Sequence, residues 1–593
     1  MVHMTAIKKP EYNPENYDPK MKPTVVNKFQ ELNAETVDLK DLPKTKILAE
    51  IMSPDEPWVG SCRYLLCFTS LFMHIEKHTT NYYTDETTRK DFNNNFGLSG
   101  ENCELSILNR ERIYKVFLTV TGMGLINHWS KTGQHQNYEV AKDYVGRSMN
   151  FAGYRYDIIT DDDRSVVMDK VKRMINIDIP VLAKYKTGWE LIVGYDEHDN
   201  ALILRKGNDT ANKKDYTDGL ENLICVTDTN KEKPDWKFVV SDIIETMESN
   251  GEGIGMNGYY EAIDFLLNDD FFNQAEDETL NAIKQSLVER YFIGHAEARG
   301  FSGQGFEWCF LNRYEEANKL ADLYNQISYF GDQQHQIAWC GDTIFKMYGD
   351  DIRNRTVREK LVTVIYYMIE NDMMICRLLK QLIGRNTPDV LTPHDRKTGK
   401  IYSTQIQTRD DITLQEIMKQ IKVKNSVDVN LNTDIEQYGN VECAFDNGVL
   451  RVKGENGVWD QDGIAVKNGT NYPFKVDMRV KTDNANIHLY YGKSYISFRQ
   501  HQHALDSLFI LDMLIGLYLG YPNKGIIPID EFIDITWIVH HDFMAVIVNG
   551  EVCHYGVNYP YMSIINSLNE KFRFGTANGN TITVEKLIIS ELE

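Results

Sequence analysis

Several classes of protein are excluded by what this sequence lacks. No run approaches the ~20 apolar residues that a membrane helix needs. The richest stretch, Leu505 to Ile515, is short and carries Asp506 and Asp512. The first ten residues hold lysines but no apolar core behind them, so no secretory signal is expected and the chain is assigned to the cytoplasm. No CxxC pair occurs, which removes the commonest structural zinc site. The 9 cysteines are odd in number and widely spaced, which fits reduced thiols rather than a disulfide framework. Positive charge is also short. There are 64 Lys+Arg against 86 Asp+Glu, a net charge of -22. Such a polyanion repels phosphate backbones, so neither a nucleic-acid nor a membrane partner is expected.

What is present is a normal globular mixture, 42% hydrophobic and 25% charged. At 593 residues it calls for several domains. Residues 1–47 are polar and aperiodic and read as an extended arm. From Trp58 to His74 small and large apolar residues recur at helical spacing. Helical patterns follow at Glu111 to Thr119 and from Asn137 to the stop at Gly153. Tyr154 to Ile159 alternates like a strand, and Asp161-Asp162-Asp163 supplies an acidic start for a helix over Val166 to Ile175. Ile179 to Ala183, Trp189 to Asp196, Ala201 to Leu204 and Leu223 to Val226 read as strands, the second and third joined by a hairpin. These define an α/β domain over 48–240.

Residues 241–384 form a helical extension. Its strongest pattern, Thr356 to Ile383, sets Val357, Leu361, Ile365, Met368, Ile375, Leu379 and Leu382 near one stripe, which is expected as bundle core. Residues 385–437, with Pro388, Pro393 and Gly399, read as a linker or lid. Residues 438–593 turn to short alternating strands, with Asn549-Gly550 as a hairpin turn, and predict an all-β sandwich.

Ile179-Pro180-Val181-Leu182-Ala183 followed by Gly188-Trp189-Glu190-Leu191-Ile192-Val193-Gly194-Tyr195-Asp196 resembles a branch of the papain-like superfamily. That branch includes the bacteriocin-processing peptidases and the N-terminal domain of the butirosin-biosynthesis acyltransferase. The likeness is nearest to a degenerate bacterial branch found with AraC-type regulators. Its helical segment is echoed in Asn257 to Asp264 and Arg313 to Ala317, and its sandwich in Trp537 to Val539 and Met544 to Gly556. The regulators' DNA-binding portion has no counterpart here. The resemblance implies an α+β fold: a papain-like cysteine-peptidase-like domain with a helical extension, then a concanavalin/laminin-G-like sandwich.

The resemblance also implies a site. Its nucleophile would be a thiolate at a helix N-terminus, and Cys62 is the cysteine so placed. Its base would stand on the strand from Trp189, where this sequence has Trp189-Glu190 and no histidine. Its orienting residue has only Asn208 as a loose candidate. Glu190 could accept a proton if burial raised its pKa, or bind an amine or a sugar hydroxyl. Trp189, Glu190, Tyr195 and Asn208 are the expected binding residues.

Other motifs carry less. His198 is expected in a solvent-facing turn. His501-Gln502-His503 lacks a third ligand, and His540-His541 would face opposite ways on a strand, so no metal and no cofactor is expected. Gly251 to Gly255 lacks the lysine of a phosphate-binding loop and reads as a flexible connection. Trp459, Tyr490, Tyr491 and Tyr495 could stack on sugar rings or pack internally. The expected function is noncatalytic binding of a small molecule or peptide, a pseudoenzyme associated with biosynthesis, with carbohydrate as a further partner at the sandwich. The alternatives are a thiol acyltransferase or amide hydrolase using Cys62, and a self-assembling structural protein built on the arm and the 33 tyrosines.

Overall fold

The computed structural model describes residues 34–48, 51, 54, 62–76, 105–130, 138–160, 163–205, 213–215, 219–229, 234–313, 341, 344–345, 349, 351–402, 406–454, 463–483, 486–492, 494–498, 508–512, 517–521, 524–557, 559, 569–576 and 579–593. The fold is α+β, with antiparallel sheets throughout.

The N-terminal body is a seven-stranded sheet. Its strands are β1 (Thr45–Ile47), β2 (Arg155–Ile159), β3 (Val181–Tyr185), β4 (Gly188–Asp196), β5 (Ala201–Leu204), β6 (Lys213–Asp215) and β7 (Leu220–Asp228). The order is β2-β7-β3-β4-β5-β6, with β1 also paired to β4. β1 comes from the segment expected to be an arm. Its pairing of Thr45 with Asp196 ties residues 45–47 into the sheet, and residues 1–33 lie outside the described residues.

Among the described residues, α1 (Arg63–Glu76), α3 (Tyr144–Ala152) and α4 (Arg164–Asn176) pack on this sheet, and α2 (Leu105–Val120) packs on α1 and α3. α1 packs on β3 and β4 through side chains such as Tyr64, whose ring lies 4.9 Å from that of Trp189. α4 packs on β4 from the other face. Its start is fixed by Asp163, whose side chain accepts from the Ser165 N–H. α3 ends at Gly153, with φ 81, the left-handed conformation that glycine adopts without strain.

The helical extension comprises α5 (Trp236–Met247), α6 (Gly255–Leu266), α7 (Asp269–Gln274), α8 (Asp277–Ser286), α9 (Ile293–Arg313) and α10 (Arg355–Leu382). α8 runs into α9 through a π-helical turn, Leu287–Phe292. α10 is buried on nearly every side, not along one stripe: Arg358, Lys360, Glu370, Asp372 and Lys380 are buried with its apolar residues. Three of these charges meet ion-pair partners: Arg358 with Asp269, Lys380 with Glu248, and Asp372 with the fully buried Arg299 at 2.8 Å.

The glycine-rich stretch before α6 is a tight joint and not a flexible connection. A Cβ on Gly255 would stand 1.8 Å from the Ser249 carbonyl oxygen, and Gly253 accepts the Trp129 N–H at 2.6 Å. Only glycine permits that approach.

The C-terminal sandwich has a sheet of seven strands facing one of nine. In chain order the first contains Ile435–Tyr438, Gly463–Val466, Ile487–Tyr491, Ser494–Phe498, Leu508–Asp512, Leu517–Tyr521 and Arg573–Gly575. The inner faces meet through contacts such as Phe474–Tyr491, with ring centroids 4.4 Å apart, and Trp537–Phe572, 6.4 Å apart. Asn549 and Gly550 both take positive φ, 49° and 81°, as the primed hairpin turn requires.

The segment 385–437, expected as a linker or lid, supplies parts of this sandwich. Gln407–Thr408 pairs with Glu551–Val557, Val423–Asp428 pairs with the C-terminal strand Thr581–Leu592, and Ile435–Tyr438 pairs with Gly463–Val466. Between them α11 (Leu414–Gln420) covers the outer face of the nine-stranded sheet. Ile412 and Ile417 join Ile538, Phe543, Ala545 and Ile547 in a second small core there. No described helix is long and apolar enough to cross a membrane.

Candidate functional site

β-Register brings the site together. Ile158 on β2 stands opposite Ile224 on β7. Lys184 on β3 stands opposite both Asn222 on β7 and Trp189 on β4. Alternate residues of a strand share a face, so these five side chains lie on one surface. Cys225, the next residue on β7, points to the other face, where the Lys170 ammonium of α4 acts on it. Above the first surface sits the stretch from Tyr138 to the start of α3. Asp143 caps that helix by accepting from the Gly146 N–H at 3.2 Å.

Between sheet and stretch lies an open cleft of ≈ 360 Å³. Glu139, Asp143, Tyr144, Lys184, Trp189 and Asn222 supply its polar and aromatic lining. Ile158, Ile224 and Val145 make its apolar part.

The polar groups of the cleft are organised around Glu139. Its carboxylate accepts from Lys184 Nζ at 2.6 Å and from the Tyr144 hydroxyl at 3.3 Å. Lys184 also stands over the Trp189 ring, 5.2 Å from its centroid. Burial first, then Glu139, push the Tyr144 phenol up, so it remains a donor. Asn222 Oδ1 is buried and accepts no hydrogen bond from the described residues. A buried acceptor without a donor costs about 1–3 kcal/mol, which a ligand N–H or O–H would recover.

Cys62 occupies the N-terminus of α1: its carbonyl accepts the Leu66 N–H at 3.1 Å. Its own N–H donates to the Tyr114 hydroxyl at 2.9 Å. The residue is only 4% exposed. Burial pushes its thiol up to about 12, against the lowering effect of the Leu65 N–H; Glu139 adds to the rise, while the Tyr64 N–H and Lys184 lower it. Among the described residues, no imidazole is one of the main groups acting on this sulfur. A helix N-terminus alone therefore does not produce a thiolate at neutral pH.

The expected binding residues divide. Trp189 lines the cleft. Glu190, the next residue along the strand, projects the other way and is paired with Arg63 at 3.0 Å; the carboxylates of the cleft are Glu139 and Asp143. Tyr195 is fully buried, where its hydroxyl donates to the Pro43 carbonyl at 2.8 Å and accepts from Asn176 at 2.9 Å. It is a tie between β4, α4 and the segment before β1. Asn208 lies outside the described residues, as do Trp459, His501 and His503. His198 is in the turn after β4, where its N–H donates to Asp196 at 3.0 Å. Among the described residues no group of three or more His, Cys, Asp or Glu could hold a metal ion. On the sandwich, Tyr491 faces the inner core, whereas Tyr490 and Tyr495 lie on the opposite side of their sheet.

Glu139, Tyr144, Lys184 and Asn222 were not expected from the sequence. Alternation along β3 and β7 carries a signal for Lys184 and Asn222, once β3 extends beyond Ala183. No sequence pattern marks Glu139.

No protein-family model matches the chain. No curated protein matches it either. Among solved structures it is similar to domain 4 of AbnA, an extracellular arabinanase of Geobacillus stearothermophilus in complex with arabinotriose. Identity is 17%, coverage is 29% of this chain and 93% of that one, and the TM-score is 0.22. It is similar to a protein of unknown function with a galectin-like fold from Bacillus subtilis, at 11% identity, 29% and 99% coverage, and TM-score 0.23. It is also similar to the exoplasmic/lumenal domain of VIP36 bound to Ca2+ and Man3GlcNAc, at 8% identity, 29% and 89% coverage, and TM-score 0.21.

Proposed function

We propose that this chain is a noncatalytic binding protein on a cysteine-peptidase-like scaffold, and that its cleft takes a small molecule bearing an amine on an apolar body. The observation that carries this reading is the buried, unpartnered Asn222 acceptor, set in a cleft that also holds Glu139 and Asp143. An ammonium donates to neutral and anionic oxygens alike, and three such groups line the cleft, Asn222 from the sheet and Glu139 and Asp143 from the stretch above it. Trp189, Ile158, Ile224 and Val145 offer an apolar surface of the kind small-ligand sites use.

The chemistry of the neighbouring thiol supports binding without turnover. A nucleophilic cysteine needs an accessible thiolate and a proton acceptor within hydrogen-bond reach. Cys62 is buried and protonated; a carboxylate and an ammonium act on it and, among the described residues, no imidazole is one of the main groups that do. The nearby carboxylate disfavours the anion that catalysis would require.

The test uses tyramine as the probe amine, titrated into the full chain by calorimetry. Binding is expected in the wild type and weaker by about tenfold in Asn222→Ala, the loss of one hydrogen bond to a charged group. p-Nitrophenyl acetate should give no burst and leave no acyl group on Cys62. A burst, with an acetyl adduct mapped to Cys62, would replace this reading with the thiol acyltransferase.

A further inference from the structure

The seven-stranded sheet of the sandwich turns one side to the core and the other away from it. Phe572 and Phe574 belong to the inner side, so Arg573 between them belongs to the outer. Register places Glu436, Ala465, Arg573, Tyr490 and Tyr495 in one row across five strands. The Arg573 guanidinium lies 4.4 Å from the Tyr438 ring centroid and 5.4 Å from that of Tyr490. Its Nη1 is buried and donates to nothing among the described residues.

The nearest acid in the row does not meet it. Glu436 stands two strands away beyond Ala465 and is paired with Lys571 at 2.6 Å. On the far side of Tyr490, one step along the sheet, Ser497 Oγ is also buried without a partner.

A guanidinium held by ring contacts still needs hydrogen-bond acceptors, and its planar fork matches the two oxygens of a carboxylate. Tyr438 is 44% exposed, which leaves an apolar shelf beside the fork. We propose that Arg573 anchors a carboxylate-binding site on the outer face of the sandwich. It would take a carboxylate borne on a ring-shaped body such as a hexuronic acid, with Tyr438 against the ring. The site is separate from the cleft and does not depend on what the cleft binds.

The experiment is calorimetric titration of the full chain with sodium glucuronate, glucose and inorganic phosphate. Glucuronate should bind, and glucose, which differs by the carboxylate, should bind at least about tenfold more weakly. Arg573→Gln should abolish glucuronate binding while Arg573→Lys keeps part of it. Should Arg573→Gln fail to fold, Tyr438→Ala, at an exposed ring, probes the same site and should weaken glucuronate binding. Equal binding of glucose and glucuronate, no binding of glucuronate, or glucuronate binding unchanged in both Arg573→Gln and Tyr438→Ala would overturn the site. Phosphate binding as tightly as glucuronate would overturn its assignment to carboxylates.

Discussion

Glu297 shows how one residue sets a pH dependence. It lies on α9, mostly buried, and burial alone pushes its carboxyl up to about 7 from the ordinary 4.5. The folded chain therefore holds this proton more tightly than the unfolded chain does. Stability from this group is fully present below pH 4.5 and is lost as pH rises through about 7. After allowance for its partial exposure the loss is about 1–2 kcal/mol. Urea unfolding at pH 5 and pH 8 should show it, and Glu297→Gln should remove that part of the difference. An unchanged difference would mean that the carboxyl is hydrated.

Glu190 gives a contrasting case. Its partner Arg63 is partly exposed, so Glu190→Gln should cost only about 1 kcal/mol of stability and leave amine binding in the cleft intact. Loss of tyramine affinity in that variant would move the site toward β4. The buried thiol at Cys62 should resist iodoacetamide in the folded state through pH 8, whereas exposed Cys443 should label readily. Peptide mapping separates the two.

Among the elements, the segment between the helices and the sandwich matters most. Val423–Asp428 is exposed along its whole length, yet it pairs with the C-terminal strand. α11 adds an apolar cover to the outer face of the nine-stranded sheet. A fragment of residues 406–593 should fold alone with an all-β spectrum. A fragment of 438–593 should be less stable, because Ile538, Phe543, Ala545 and Ile547 lose their cover. Ile417→Ala in the longer fragment should cost about 2–4 kcal/mol in urea unfolding. Equal stability of the two fragments would make the segment an appendage.

This is also where the sequence was least legible. The Asn549-Gly550 turn and β4 could be read locally, because positive φ and near-continuous burial leave marks in adjacent residues. Val423–Asp428 leaves no such mark: both its faces are exposed, and its partners are residues 588–592 and Thr581's strand as a whole. The candidate site was legible to the same degree. Trp189 could be placed from the strand it begins. Glu139 and Asn222 become neighbours only through sheet register and the path of the chain above the sheet, and no local pattern encodes that.

Across the whole molecule, the extension is joined to the sheet domain by a buried polar network. Arg299 on α9 donates to both oxygens of Asp372 on α10, and to the carbonyls of Gly124 and Ile126 beyond α2. Tyr259 on α6 donates to the same carboxylate at 2.6 Å. Asp372→Asn would leave a fully buried guanidinium uncompensated, at a cost of about 3–5 kcal/mol. The extension reaches the candidate site through the same region, since the Tyr138 hydroxyl donates to the Gly294 carbonyl at 3.0 Å, next to Glu139. The helices therefore brace the stretch that roofs the cleft. We propose that this cleft binds and does not react. This is tested most directly by comparing tyramine affinity in wild type, Cys62→Ala and Asn222→Ala by calorimetry. Wild-type affinity is expected for Cys62→Ala and a loss of about tenfold for Asn222→Ala; affinity lost with Cys62 and unchanged without the Asn222 acceptor would contradict binding without reaction.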